Sequence, residues 1–370
     1  MPVTPTGPLA GLRVVEMDAI GPVPLVGLLL AGSGADVLRI ARDGGDWDDA
    51  TTAAAVMHRG KASVTLNLKD PAGAAMALDL IGRADAVIEG ARPGTMERLG
   101  LGPDATLARN PALVYGRMTG WGQTGPRAME AGHDINYLAL TGVLSMIGPA
   151  TRPVAPLNLV ADYGGGAMNL AFGLMAALWQ ARATGRGQVV DAAMVDGVGF
   201  LASLFHGYQQ TGLWHDGREA NLLDGGAPYY RCYACADGRF MAAGPLEPKF
   251  YALMMCGLGL DPADWPQDDR ATWPAATAAI GARFASMPQA HWTALFAGTD
   301  ACVTPVLDLA QTRTDPHIAA RGLFQPAGTA QAPVVPPWGA DQRPDLAPAR
   351  AMDTAGALAR WPVRPSAAPR

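Results

Sequence analysis

The chain has 370 residues, of which 16% are charged, and carries a net charge of −5. A length of this order allows about two domains, at roughly 150 residues each, and a core that needs no covalent staples. The acidic balance and the lack of a basic stripe exclude nucleic acid as a partner, and no run reaches the ~18 unbroken apolar residues of a membrane span.

Four cysteines, and no charged and then apolar leader at the N-terminus, point to a reducing, cytoplasmic setting. Residues 12–16 form a β-rich run after Gly11 that ends at the turn Gly21-Pro22-Val23-Pro24. A helix is predicted over 25–30, closed by Gly32-Ser33-Gly34, and a strand over 35–40. That β-α-β order implies a parallel sheet and an α/β fold. Gly32 and Gly34 follow the helix instead of opening it, which argues against a dinucleotide-phosphate turn and against NAD.

An acidic loop spans residues 43–49, and the basic turn Arg59-Gly60-Lys61 leads into a further strand. A helix over 71–82 and a strand over 86–89 follow, with Gly90-Ala91-Arg92-Pro93-Gly94 turning at the strand's carboxyl end. Open parallel sheets bind ligands outside those ends. Arg42, Arg59, Lys61, Lys69, Arg92 and Arg98 are therefore expected to gather there as the footprint of a phosphate-bearing ligand.

Another strand over 113–118 leads through a Gly-rich turn to Gly132-His133-Asp134-Ile135-Asn136-Tyr137. Asn158 and then Asp162-Tyr163-Gly164-Gly165-Gly166 precede a helix predicted over 167–184. Asp162 is thus expected just ahead of a helix N-terminus, where unpaired N–H groups and the dipole favour negative charge. The glycines are expected to let a ligand carbonyl come close. Such a place suits a reaction that builds an oxyanion.

A strand over 187–194 enters a second apolar helix toward Tyr208. Past Asn221 the pattern changes to a hairpin around Asp237-Gly238 and a helix from Pro248, so residues 222–315 read as a smaller α/β domain after a large domain over 1–221. Beyond 325 the chain is rich in Pro and Ala and is expected to be mostly irregular. Cys232 and Cys235 have no second pair at ligand spacing and would point to opposite faces of a strand, so they read as packing thiols and no metal is expected.

Several segments resemble the family III CoA-transferase superfamily, and within it the α-methylacyl-CoA racemases. They are Gly11-Leu-Arg-Val-Val-Glu16, Arg92-Pro-Gly94 with Glu97-Arg-Leu-Gly-Leu-Gly102, Thr119-Gly-Trp-Gly-Gln-Thr-Gly-Pro126, the His133 loop, Gly187-Gln-Val-Val-Asp-Ala-Ala-Met194 and Asp300-Ala-Cys-Val-Thr-Pro305. The pairing of the His133 loop with the Asp162 turn points to the racemases. The resemblance implies an interlocked homodimer with a large Rossmann-like domain to which residues 316–370 return, and a small domain that contributes to the partner subunit's site. It implies a 2-methylacyl-CoA substrate, with no cofactor beyond the CoA that the substrate carries. His133 and Asp162 would be the two acid/base groups, Glu247 would orient His133, and Asn158 would hold Asp162. Arg42, Leu66, Asn67, Leu68, Lys69, Gly90, Ala91, Arg92, Arg98, Gly132, Asp134, Ile135, Asn136 and Tyr137 would line the CoA site. Asp18, His58 and Ala91 depart from the family's pattern.

Inverting the carbon beside a thioester requires taking a proton from one face and returning one to the other, so two acid/base groups are the minimum. Imidazole titrates near neutrality. An aspartate must be pushed up by burial to serve, and backbone N–H groups at the Asp162 turn are expected to stabilise the enolate. The alternatives are a CoA-transferase with Asp162 as nucleophile and an acyl-CoA binder without catalysis.

Overall fold

The computed structural model describes residues 7–42, 53–327, 330–333 and 346–363. The acidic loop expected at 43–49 lies outside the described residues. In chain order the first part runs β1 (Arg13–Met17), α1 (Pro22–Gly32), β2 (Asp36–Ala41), β3 (Ala62–Thr65), α2 (Pro71–Gly82), β4 (Ala86–Glu89), α3 (Thr95–Arg98), α4 (Pro103–Arg109) and β5 (Val114–Thr119). It continues with α5 (Asp134–Leu140), a π-helix (Leu159–Met168) that runs on as α6 (Asn169–Thr184), β6 (Val189–Ala193) and α7 (Met194–Leu201). Next come α8 (Ser203–Gln210), β7 (Arg231–Ala234), β8 (Phe240–Ala243), α9 (Pro248–Gly257), α10 (Trp273–Phe284), α11 (Gln289–Phe296), β9 (Val303–Pro305) and α12 (Leu309–Thr312). The chain closes with α13 (Pro316–Ala320), β10 (Phe324–Ala327), β11 (Ala330–Pro333), β12 (Arg350–Met352) and α14 (Thr354–Arg360).

Two units result. One comprises Met1–Thr141, Leu157–Leu201 and Pro316–Arg370, and the other Gly142–Pro156 and Ala202–Asp315. The first holds a parallel sheet of seven strands in the order β12-β3-β2-β1-β4-β5-β6. Its central strands are apolar on both faces, as a doubly covered parallel sheet requires: Val14, Val15, Val87, Ile88 and Leu38 are fully buried. Strand order reverses between β1 and β4, which opens a crevice at their carboxyl ends. The second unit holds the antiparallel sheet β7-β8-β9, turned at Gly238 with φ +75° and packed on Tyr251, Met254, Ile280, Phe284 and Trp292.

Three expectations change. Helix α1 starts at Pro22, not at residue 25, because Pro22 and Pro24 occupy first-turn positions whose N–H groups have no helical acceptor in any case. The helix expected over 167–184 begins at Leu159, so Asp162 lies inside its first turn and not ahead of it. Beyond 325 the described residues include regular elements that the composition does not imply: β12 pairs with β3, and Trp361 is buried with its Nε1 donating to Asp36 Oδ2 at 2.8 Å.

A buried charge cluster underlies α1. Lys61 Nζ donates to Glu16 Oε2 at 2.6 Å and to the Pro24 carbonyl at 2.9 Å. Arg39 Nη2 meets Asp18 Oδ1 at 2.7 Å, and Arg42 Nε meets Asp18 Oδ2 at 2.8 Å. The two arginines hold Asp18 below the usual carboxylate range against the opposing effect of burial. Gly27 makes room for the Glu16–Lys61 pair, since a Cβ there would stand 1.6 Å from Glu16 Oε2.

Candidate active site

The segments that follow β1, β4 and β5 face a cavity of about 590 Å³. Ile20 to Val23 supply one wall, Gly90 to Pro93 a second, and Thr119 to Trp121 with Ala131, Gly132 and Tyr137 a third. His133, Asn158 and Asp162 all line it. This is the crevice at the strand-order reversal, where open α/β sheets bind ligands.

His133 is the N-cap of α5, in extended backbone at φ −133°. Its side chain is exposed, while its N–H donates to Asn136 Oδ1 at 3.0 Å. Asn136 thus ties down the loop, and Tyr137 does the same from below. The Tyr137 hydroxyl donates to the Gly132 carbonyl, and its ring meets Trp121 edge-on at 4.8 Å and 84°. Gly120 has to lack a side chain, because a Cβ there would lie 2.0 Å from the Tyr137 ring.

Asp162 is half-buried on the π-helix, a form of helix that recurs at functional sites. Asn158 Nδ2 lies 3.3 Å from its Oδ2, and the missing side chain of Gly21 leaves space for the same oxygen. Burial pushes the Asp162 carboxyl up; the Asn158 hydrogen bond pulls it down, the charge of Asp134 raises it, and the charge of His133 lowers it.

Two local expectations fail here. The N–H groups of Ala161 and Asp162 both donate to Asp134 Oδ2, each at 2.8 Å, so they are not open to an enolate. The glycine triplet serves packing and not ligand approach. Gly165 and Gly166 are buried, and a Cβ on Gly165 would meet the Val198 nitrogen of α7 at 2.8 Å.

Of the residues expected to bind CoA, Gly90, Ala91, Arg92, Gly132 and Tyr137 line the cavity. Arg92 is its one lysine or arginine among the described residues. Lys69 and Arg98 are exposed outside the cavity wall, with Arg98 donating to Thr95 Oγ1 at 3.0 Å, and Arg42 is engaged by Asp18. Leu66 and Leu68 pack in the core, and Asn67 Oδ1 accepts the Lys69 N–H at 3.1 Å ahead of α2. Ile135 is exposed outside the wall, and Asp134 is buried. Arg59 and Lys61 drop out of the expected basic footprint: both are buried, Lys61 on Glu16 and Arg59 on the carbonyls of Val56 and Pro333. Glu247 belongs to the second unit, as the exposed N-cap of α9 ahead of Pro248.

Sequence reading missed Ile20, Gly21, Pro22, Val23 and Trp121 as wall residues. Trp121 was visible in the Thr119–Pro126 motif, whereas Gly21-Pro22 read only as a turn. His58, flagged as a departure, is buried with Nδ1 4.0 Å from Glu16 Oε1. Burial and the charges of Lys61 and Arg39 push its imidazole down to about 3.

The model of CoA-transferase family III matches residues 9–355. The α-methylacyl-CoA racemase of Mus musculus is 45% identical over 318 residues, which is 85% of this chain and 82% of that one. The racemase of Homo sapiens gives the same identity and coverage. Among solved structures, a CAIB/BAIF family protein from Brucella suis superposes with a TM-score of 0.80 at 24% identity, covering 96% of this chain and 98% of that one.

Proposed function

The chain belongs to CoA-transferase family III, and on that premise we propose that it racemises 2-methylacyl-CoA thioesters at the α-carbon. The observation that carries this reading is the meeting of His133 and Asp162 on one cavity, with Asp162 raised by burial. One group removes the α-proton, the thioester becomes an enolate, and the other group returns a proton to the opposite face. No metal or organic cofactor beyond the substrate's CoA takes part. A second acid/base group, His133, on the same cavity as Asp162 weighs against CoA transfer, which needs Asp162 as a nucleophile but no base at that position.

Asn158 keeps the Asp162 carboxyl oriented. With the Ala161 and Asp162 amides engaged, the enolate oxygen falls to the amide of Asp134 at the start of α5, beside His133. The Gly90–Arg92 wall holds the CoA moiety, and Arg42, Lys69 and Arg98 are outer phosphate contacts. Glu247 orients His133 from the partner subunit of a homodimer. Support for the dimer comes from α6 and the turn before it, where Met168, Phe172, Met175 and Trp179 share a helical face and are 38% to 80% exposed. The setting is cytoplasmic, in keeping with cysteines 232, 235, 256 and 302 standing unpaired; no described helix is long and apolar enough to cross a membrane.

The test is incubation of one epimer of a 2-methylacyl-CoA with the protein, alone and with a free carboxylic acid. Appearance of the other epimer supports the reading. CoA moving to the added acid without epimerisation defeats it, and binding with neither reaction leaves a silent acyl-CoA binder.

A further inference from the structure

Asp134 stands between the two acid/base groups. It follows His133 as the first residue of α5, and its side chain turns inward to the other element. One carboxylate oxygen, Oδ2, accepts both the Ala161 and the Asp162 N–H groups at 2.8 Å. The other, Oδ1, is buried and has no hydrogen-bond partner among the described residues. Burying a carboxylate is unfavourable by itself, and the two N–H groups on Oδ2 offset that cost by tying it to the π-helix.

Building on the racemase reading above, we propose that Asp134 is the positioning residue of the acid/base pair, clamping the Asp162 segment of the π-helix to the His133 loop so that both groups address one α-carbon. The clamp has two effects. It fixes the backbone of Asp162 through that residue's own N–H. It also occupies two helix N-terminal N–H groups that would otherwise favour the ionised form of Asp162, and sets a negative charge beside it. Every titratable neighbour that bears on Asp162 enters this balance: Asp134 raises it and His133 lowers it, after burial and the Asn158 hydrogen bond. Tyr137 of α5 is an uncharged neighbour, its phenol pushed up to about 12 by burial and by the two aspartates. The clamp favours the protonated form of Asp162, which is the one able to hand a proton to the enolate.

Asp134→Asn keeps an acceptor for both N–H groups and removes the charge, whereas Asp134→Ala removes both. The measurement is racemisation kcat and KM against pH. The acid limb of such a profile marks the point at which both groups of the pair hold a proton. In Asp134→Asn this limb is expected at lower pH than in the parent protein. In Asp134→Ala kcat is expected to fall on the order of 100-fold, as for a displaced reacting group, with KM close to that of the parent. An unmoved acid limb in Asp134→Asn, or a parental kcat in folded Asp134→Ala, overturns the proposal; if Asp134→Ala fails to fold, Asp134→Asn decides alone. A parent protein that does not racemise at all refutes the reaction itself, which is a separate outcome.

Discussion

Glu89 Oε2 accepts the Ala91 N–H at 2.6 Å, so a fully buried carboxylate holds the cavity wall from beneath. Arg117 Nε meets the other oxygen of Glu89 at 3.0 Å, and Arg117 Nη1 continues to Glu97 Oε1 at 2.7 Å. Above about pH 7, where Glu89 is ionised, Glu89→Gln keeps the shape and loses the charge that organises both partners. A charge-assisted hydrogen bond contributes about 1.5–3 kcal/mol, so KM for an acyl-CoA is expected to rise at least roughly tenfold with little change in kcat. Steady-state kinetics on the purified variant check this; an equal fall in kcat and kcat/KM would place Glu89 in the chemical step instead.

His58 gives an acid-sensitivity prediction. Burial, Lys61 and Arg39 push its imidazole down from 6.5 to about 3, so the unfolded chain binds more protons between those values. Stability from this group is complete above about 6.5 and is lost as pH falls toward 3, by at most about 1.4 kcal/mol per pH unit. Burial raises Glu89 to about 7 from 4.5, which acts in the opposite sense: its contribution is present below 4.5 and is lost as pH rises to about 7. The two windows overlap, so each must be read as a difference from the parent. His58→Gln is expected to flatten the acid side of a urea-unfolding series, and Glu89→Gln the neutral side.

Gly27→Ala tests the charge cluster under α1. The added Cβ would overlap Glu16 Oε2 and approach Lys61 Nζ to 2.8 Å. Parting a buried ion pair costs about 3–5 kcal/mol. Thermal unfolding should show a Tm lowered by many degrees, or no soluble protein; a Tm within a degree of the parent would mean that the pair relocates without cost.

Much of the fold was readable in the sequence because parallel strands buried on both faces are apolar runs between turn residues: α2 and β4 fall on their predicted bounds, 71–82 and 86–89. The start of the Asp162 helix was not readable, since Gly164-Gly165-Gly166 is a helix-breaking signal that the close approach of α7 overrides. Arg59 and Lys61 illustrate a second limit. Basic side chains beside a glycine turn at strand ends read as a phosphate footprint, and only the tertiary placement of Glu16 shows that Lys61 is an internal counter-charge. Gly21 was missed for the opposite reason, because its role beside Asp162 consists in having no side chain.

The most direct measurement is deuterium entry at the α-carbon of one epimer in heavy water, followed separately in His133→Ala and Asp162→Ala. Two bases serving two faces predict mirror-image losses, each variant exchanging one epimer while failing on the other and neither completing the inversion. Both variants retaining parental exchange from both epimers would contradict the account.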